Sequence, residues 1–447
     1  MDEVKMPSSK QKLFRLTWPI YIELLFFMLM GIADTLMLSQ YSDLSVAAVG
    51  NANRIMAVFI VLLNSVALGV GVLVSQYVGA NREDEAKRVM RAGFFGSFLI
   101  GMVLCLFLIL LSSRIFVLIR TDASIFDASL FYLRTVVFSI PFIAALQAIS
   151  AGFKSFGRTK LIMGIIAITN MVNVFLNALL IFGLGPFPEL GVAGAAYATL
   201  FSKILTFVIA FYFFKRHLAT RIFSRIKVSL SGHFRAILRL GIPGASEHFV
   251  YQFTQVVLLG FINTIGALAL TTQIYVHHLM MPVLVFSLAL AQGNQVMIGW
   301  LVGSKQIEDA YRRTVKTMRF AIIIVMSIVA LMAWQAPVLI GIFTDNVIII
   351  DMARRVMFVV VVLEVGRTSN LIVIHALRAA GDVVYPVIIA MFSMLGVAIS
   401  LAWLLGLRLE WGLFGIFIAL AADECVRGTL VYARWLKRRW VKKRVVA

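Results

Sequence analysis

Apolar runs of membrane-spanning length follow one another along almost the whole chain. They are 14–38, 46–78, 91–119, 128–152, 160–184 and 190–213, then, after a polar connection at 214–234, 238–264, 268–302, 318–343, 352–377, 384–407 and 411–434. A helix rising about 1.5 Å per residue needs about 20 apolar residues to cross a hydrocarbon core of about 30 Å. The runs are continuous rather than alternating, so they predict helices and not the strands of a membrane barrel. Little chain is left for a soluble domain. Of 447 residues, 61% are hydrophobic and 14% charged, whereas soluble domains carry about a quarter charged residues. The expected fold class is all-α integral membrane, with twelve transmembrane helices.

The chain also repeats itself. Arg15-Leu16-Thr17-Trp18-Pro19-Ile20-Tyr21-Ile22-Glu23 returns as Arg239-Leu240-Gly241-Ile242-Pro243-Gly244-Ala245-Ser246-Glu247, both reading R-L-x-x-P-x-x-x-E. Gly69 then aligns with Gly293, Val78-Gly79 with Val302-Gly303, Asp127 with Asp351, and Gly152-Phe153-Lys154 with Ala376-Leu377-Arg378. Six spans per half is an even number, so both halves enter the membrane in the same direction. Two six-helix lobes related by a pseudo-twofold axis along the membrane normal are expected, with a binding site near the midplane between them. The corresponding organisation is a cytoplasmic tail at 1–13, an N-lobe at 14–213, a cytoplasmic linker at 214–234, a C-lobe at 235–434 and a basic cytoplasmic tail at 435–447.

The formal net charge of +20 does not point to nucleic acid, because no basic stripe lies on a soluble module. The bases concentrate at Lys5, Lys10, Lys12 and Arg15, at Arg82, Lys87, Arg88 and Arg91, at Lys154, Arg158 and Lys160, at Lys215, Arg216, Arg221, Arg225, Lys227 and Arg235, and at Lys305, Arg312, Arg313 and Lys316. Arg114, Arg120, Arg354 and Arg355 run against this bias, which still sets both termini inside. The tail from Arg434 to Arg444 suits anionic lipid at the inner surface. Cys105 and Cys425 lie in apolar runs without metal spacing, so neither a metal site nor a disulfide is expected. No removed signal peptide is expected either.

Polar residues inside such spans mark function or helix pairing. Asp34 lies about 27 Å along the first span from Leu16; an ionised carboxylate there needs partners, a proton or a cation. Asn173 and Asn177, four apart, share a helix face, and Thr199 adds a hydroxyl; amides suit an oxygen cage or interhelical bonding. Glu23 and Glu247 occupy equivalent places and are expected to pair with Arg15 or Arg239, or to gate the inner mouth. Gln292, Asn294, Gln295 and His277 are candidate cavity residues, and His277, His278 and His375 candidate protonation sites. Asp423, Glu424 and Arg427 can satisfy one another. No H-E-x-x-H, G-x-S-x-G or phosphate loop occurs, so an enzyme is not expected.

Ile32-Ala33-Asp34-Thr35, Asn173-x-x-x-Asn177 before Leu180-Ile181-Phe182-Gly183, Gly191-Val192-Ala193-Gly194-Ala195-Ala196 and Ala376-Leu377-Arg378-Ala379-Ala380-Gly381-Asp382 resemble motifs of the multidrug and toxic compound extrusion (MATE) transporters. The resemblance covers nearly the whole chain. In the DinF-like branch it implies a proton or Na⁺ site at Asp34, Asn173, Asn177 and Thr199. That branch often has Asp at the position of Asn177, so a single carboxylate remains, which favours H⁺ over Na⁺. NorM-like members carry acids where this chain has Tyr251 and Arg367, so their C-lobe cation site is not expected. Glu364-Val365-Gly366-Arg367-Thr368-Ser369-Asn370 resembles the E-P-G-R-x-x-N form of a group that includes YeeO-like flavin exporters. Glu364, Arg367 and Asn370 are thereby candidate cavity residues, with Arg367 either receiving an anionic substrate group or pairing with Glu364 or Glu247.

The resemblance implies a cation-coupled antiporter that exports organic compounds by alternating access, with no cofactor beyond the transported H⁺ or Na⁺. A protein functional as a monomer, in a bacterial cytoplasmic membrane, is expected. Alternatives are export of an anionic metabolite such as a flavin, or flipping of a lipid-linked glycan by a member of the same superfamily.

Overall fold

The structure, a computed structural model, describes residues 9–217, 230–443 and 445. Expectations for Lys5, Arg221, Arg225, Lys227 and Arg444 lie outside the described residues. In chain order the helices are α1 (Ser9–Tyr41), α2 (Asp43–Gly79), α3 (Glu83–Leu118), α4 (Ala123–Val137), α5 (Ile140–Ser155), α6 (Thr159–Phe182) and α7 (Val192–His217). There follow α8 (Leu230–Ile265), α9 (Ala267–Gly303), α10 (Ile307–Trp334), α11 (Ala336–Gly341) and α12 (Val347–Ala379). The span Val384–Arg408, here α13, contains two stretches of wider π-type turns, and α14 (Gly412–Leu436) completes the set.

Eight helices among the described residues are long and apolar enough to cross a membrane, nine if α4 and α5 form one bent span. Of the remaining long helices, α8, α12 and α14, the last two carry most of the buried charge described below. With these three, the chain is the twelve-span all-α membrane protein that its apolar runs predict.

Helices extend beyond the apolar runs wherever the polar flank suits a helix end. The first turn of α3, for example, carries Glu83, Asp84 and Glu85, which the positive end of the helix dipole favours. Two runs are interrupted, both at proline. The run 128–152 bends by 48° between α4 and α5, where Pro141 follows Ser139 and Ile140. The run 318–343 breaks at Gln335, just before Pro337. Proline lacks the N–H that would continue the ladder, and its ring crowds the preceding turn.

Chain contacts divide the molecule into two compact units. One comprises 22–78 and 82–242; the other comprises 1–21, 79–81 and 243–447. In the first, α2, α3, α4, α5, α6 and α7 share an apolar core that includes Leu63, Leu108, Phe116, Leu133 and Ile181. In the second, two apolar cores are built on α9, α10, α12 and α14, one around Val325, Val356 and Ile416 and the other around Ile298, Ile374 and Trp435.

One junction in the first unit positions the candidate site. α6 ends at Gly183, whose left-handed φ of 67° costs a glycine little. The chain returns at once into α7, and Gly194 lies directly against the Leu180 and Ile181 backbone, where a Cβ would collide. The close approach of α6 and α7 therefore depends on a residue without a side chain.

Candidate functional site

Within the first unit, α1 and α6 bring together three of the four residues expected from sequence, Asp34, Asn173 and Asn177, and α7 carries the fourth, Thr199. Asn177 Nδ2 donates to Asp34 Oδ1 at 2.6 Å and lies 3.3 Å from Asn173 Oδ1. Both asparagines are buried, and Asp34 is half-buried. Thr199 of α7 and Asn53 of α2 lie near the buried Tyr132 hydroxyl of α4, which is in turn within electrostatic range of Asp34. Asn177 Nδ2 serves both oxygens, and its own Oδ1 is buried without a hydrogen-bond partner among the described residues. An orphaned acceptor beside a carboxylate is a standing cost that a proton on Asp34 or a bound cation would relieve.

Sequence reasoning missed three members of this site. Tyr132 and Asn53 carry no spacing signal. Lys203 does: it follows Thr199 by four residues on α7, so both share a face, and it stands alone in an apolar run. Its ammonium lies within electrostatic range of the Asp34 carboxylate. Lys203 Nζ also lies over the Phe27 ring, 5.7 Å from the centroid.

The second unit gathers a larger buried charge network. Arg367 donates to Glu364 one turn earlier on α12 and lies 3.5 Å from Glu424 Oε1 of α14. Asn370 Nδ2 donates to Glu424 Oε2 at 3.0 Å, and Arg427 bridges Asp423 at 2.7 Å and Glu424 at 2.8 Å. The expected Glu364–Arg367 and Asp423–Glu424–Arg427 groups are thus one assembly with Glu424 at its centre. His277 is exposed on α9 and lies within electrostatic reach of Arg367. Asn294 is fully buried with both amide atoms unpartnered among the described residues, while Gln292 and Gln295 are half-buried. His375 bonds the Leu371 backbone oxygen at 2.8 Å.

The two repeat-related glutamates take other partners than Arg15 and Arg239. Lys154 Nζ donates to Glu23 Oε1 at 2.8 Å, and Arg378 donates to Glu247 Oε2 at 2.5 Å. The reason is reach. Arg15 and Arg239 lie eight residues before their glutamates, about 12 Å along the helix axis, whereas the actual partners arrive sideways from neighbouring helices.

A groove of about 470 Å³ between α4 and α7, lined by Asp127, Phe131, Arg134 and Tyr197 among others, contains none of the expected site residues.

A family model for MatE matches the chain twice, over 19–179 and 243–404. The two matches begin at Pro19 and Pro243, the prolines that the internal repeat aligns. The uncharacterized transporter YisQ of Bacillus subtilis (strain 168) is 39% identical, over 98% of this chain and 97% of its own length. A probable multidrug resistance protein NorM of Thermotoga maritima is 26% identical, over 100% of this chain and 96% of its own length. Among solved structures, a MATE protein in a bent conformation superposes with a TM-score of 0.89 at 20% identity, covering 97% of this chain and 96% of that one. A transporter of the MOP superfamily from Pyrococcus furiosus does so with a TM-score of 0.87 at 21% identity, covering 97% of each. These structural likenesses show the fold. The two family matches and the full-length relative show more: the chain belongs to the MATE family and is a membrane transporter, not an enzyme.

Proposed function

We propose that the protein is a proton-coupled antiporter that exports organic compounds by alternating access, with Asp34 as the carboxylate that takes up the proton. The carrying observation is the pairing of Asp34 with Asn177 at 2.6 Å beside the unpartnered Asn177 Oδ1. A protonated Asp34 becomes a donor, and the amide group it faces holds a spare acceptor. Asp34 lies seven residues from Tyr41 at the end of α1, about 10 Å in. With both termini in the cytoplasm of a bacterial cell, that end faces outward, so external protons have the shorter path. Uptake shifts the population toward the state that binds the proton better, the condition for coupling release of substrate to proton entry.

Several relatives are named probable multidrug resistance proteins, which supports organic compounds of varied shape as the cargo. Arg367 is already held by Glu364 and Glu424, and the network around it holds acids beyond its arginines. That arrangement favours cationic or neutral cargo over an anionic metabolite. In proteoliposomes with H⁺ and Na⁺ gradients imposed separately, the H⁺ gradient should drive export and the Na⁺ gradient should not. A folded Asp34→Asn variant should lose H⁺-driven export at least tenfold; normal export by that variant would sink the reading.

A further inference from the structure

Lys203 has no part in that cycle as stated, yet its placement is unusual. It sits eleven residues past Val192 and fourteen before His217, near the middle of α7. An ammonium so far from both helix ends cannot reach an interface by extending its stem, so it needs partners within the protein. Two are present, both on α1. Nζ lies over the Phe27 ring at 5.7 Å, a cation–π contact. The ammonium is also within electrostatic range of Asp34, which follows Phe27 by seven residues and so lies on the same face two turns later.

The rest of the site is rich in oxygen: the Asp34 carboxylate, Asn173 Oδ1 and Asn177 Oδ1, the last without a partner among the described residues, with the Tyr132 phenol and the Thr199 hydroxyl nearby. Such a donor set suits a hard cation. The positive charge it calls for is already supplied, on a flexible stem from α7.

We infer that Lys203 is the resident counter-cation of Asp34 and the residue that excludes Na⁺ from an otherwise oxygen-rich site, leaving the proton as the ion taken up. Na⁺ would have to gather several of these oxygens while held close to an ammonium of the same sign. A proton forms one O–H bond on the carboxylate and displaces none of the other oxygens. Lys203 then keeps its contact with Phe27 while its partner is neutral. The inference rests on Asp34 being the coupling carboxylate.

The test uses the purified full-length protein, with NaCl titrated against choline chloride at constant ionic strength and thermal stability as the readout. Wild type should show no Na⁺-specific rise in Tm. Lys203→Gln should gain a saturable Na⁺-specific rise, at Na⁺ concentrations at least tenfold below any wild-type response, and adding Asp34→Asn should remove it. Lys203→Met serves as a second variant with the charge removed, and Lys203→Arg, which keeps the charge, should stay silent. A Na⁺-specific rise in wild type equal to that of Lys203→Gln overturns the inference, as do folded Lys203→Gln and Lys203→Met variants that both remain silent. Failure of the Asp34 reading looks different: Asp34→Asn would keep H⁺-driven export regardless of the Na⁺ response.

Discussion

Lys154 holds Glu23 across the first half of the chain, and Arg378, at the equivalent repeat position, holds Glu247 across the second. Each pair is separated by 131 residues. The repeat has therefore kept an interaction and not merely a sequence, with Lys in one copy and Arg in the other. Such a pair joins the opening helix of each half to a helix that precedes a glycine turn, Gly157 or Gly381.

The two pairs should behave as structural ties. Removing one partner of a buried ion pair leaves the other charge uncompensated, at a cost of about 3–5 kcal/mol. Arg378 and Glu247 are 5% and 14% exposed at the side chain, while Lys154 and Glu23 are 17% and 6% exposed. Lys154→Met, which strands the more deeply buried Glu23, should therefore lower the thermal midpoint at least as much as Arg378→Met. Arginine keeps a planar, multiply bonding charge, so Lys154→Arg should be close to neutral. Thermal unfolding in detergent checks the order. Export per folded molecule should change less than stability; an Arg378→Met variant with unchanged Tm and no export would show that this tie is instead part of the transport machinery.

Glu424 should be the most sensitive acid of the second unit. It accepts from Asn370 and Arg427 and faces Arg367, whereas Glu364 is held by Arg367 alone and Asp423 by Arg427. Glu424→Ala orphans groups on both α12 and α14, so a loss at the upper end of about 3–5 kcal/mol is expected. Glu364→Gln should cost less, because Arg367 retains Glu424. A double-mutant cycle on Arg367 and Glu424 gives their coupling. Export assays on Arg367→Ala address cargo: equal losses for anionic and cationic compounds are expected of a structural arginine, and a selective loss for anions would restore its role as an anion receptor.

Much of this was legible because membrane spans advertise themselves. Long apolar runs placed the helices, and the positions of Pro19 and Pro243 exposed the repeat. Asp34, Asn173, Asn177 and Thr199 were visible because polar groups in apolar runs are expensive and so stand out. What stayed hidden depended on lateral packing. Nothing in the local sequence says that Lys154 reaches Glu23, or that Glu424 gathers Arg367 and Asn370. Lys203 is readable in principle from its spacing after Thr199, but its neighbour Phe27 comes from α1, which no local pattern shows.

Gly194 should be intolerant of even the smallest side chain. A Cβ there meets the Leu180 and Ile181 backbone, which cannot swing aside as a side chain would. Gly194→Ala is expected to destabilise by about 1–3 kcal/mol through overpacking. It should also loosen the α6–α7 register that sets Asn177 beside the Thr199 face. Gly164, on the same α6, has open space around its Cβ position. Gly164→Ala should therefore be neutral or stabilising by up to about 1 kcal/mol from helix propensity. Opposite signs for these matched substitutions in thermal unfolding would support close helix approach as the cause; equal losses would count against it.

The basic tail should separate into a docked part and a free part. Trp435 and Trp440 are both fully buried and stack with centroids 4.2 Å apart, and Trp440 Nε1 donates to the Trp435 backbone oxygen at 3.1 Å. Arg434 bonds Asp382 at 2.9 Å and Arg438 bonds Glu308 at 2.7 Å. Trp440→Ala should therefore cost about 3–5 kcal/mol, as for other buried aromatic truncations. Lys437, Arg439, Lys442 and Lys443 are exposed and leave this stack untouched. Neutralising these four with Gln should leave Tm in detergent unchanged but weaken association with anionic lipid, by about 1 kcal/mol for each base that lies near the surface. The difference should shrink at high salt, where screening removes it. A fall in Tm from the four-Gln variant would mean that these bases belong to the docked part, and lipid association unaffected by their loss would end the assignment of this tail to the anionic surface.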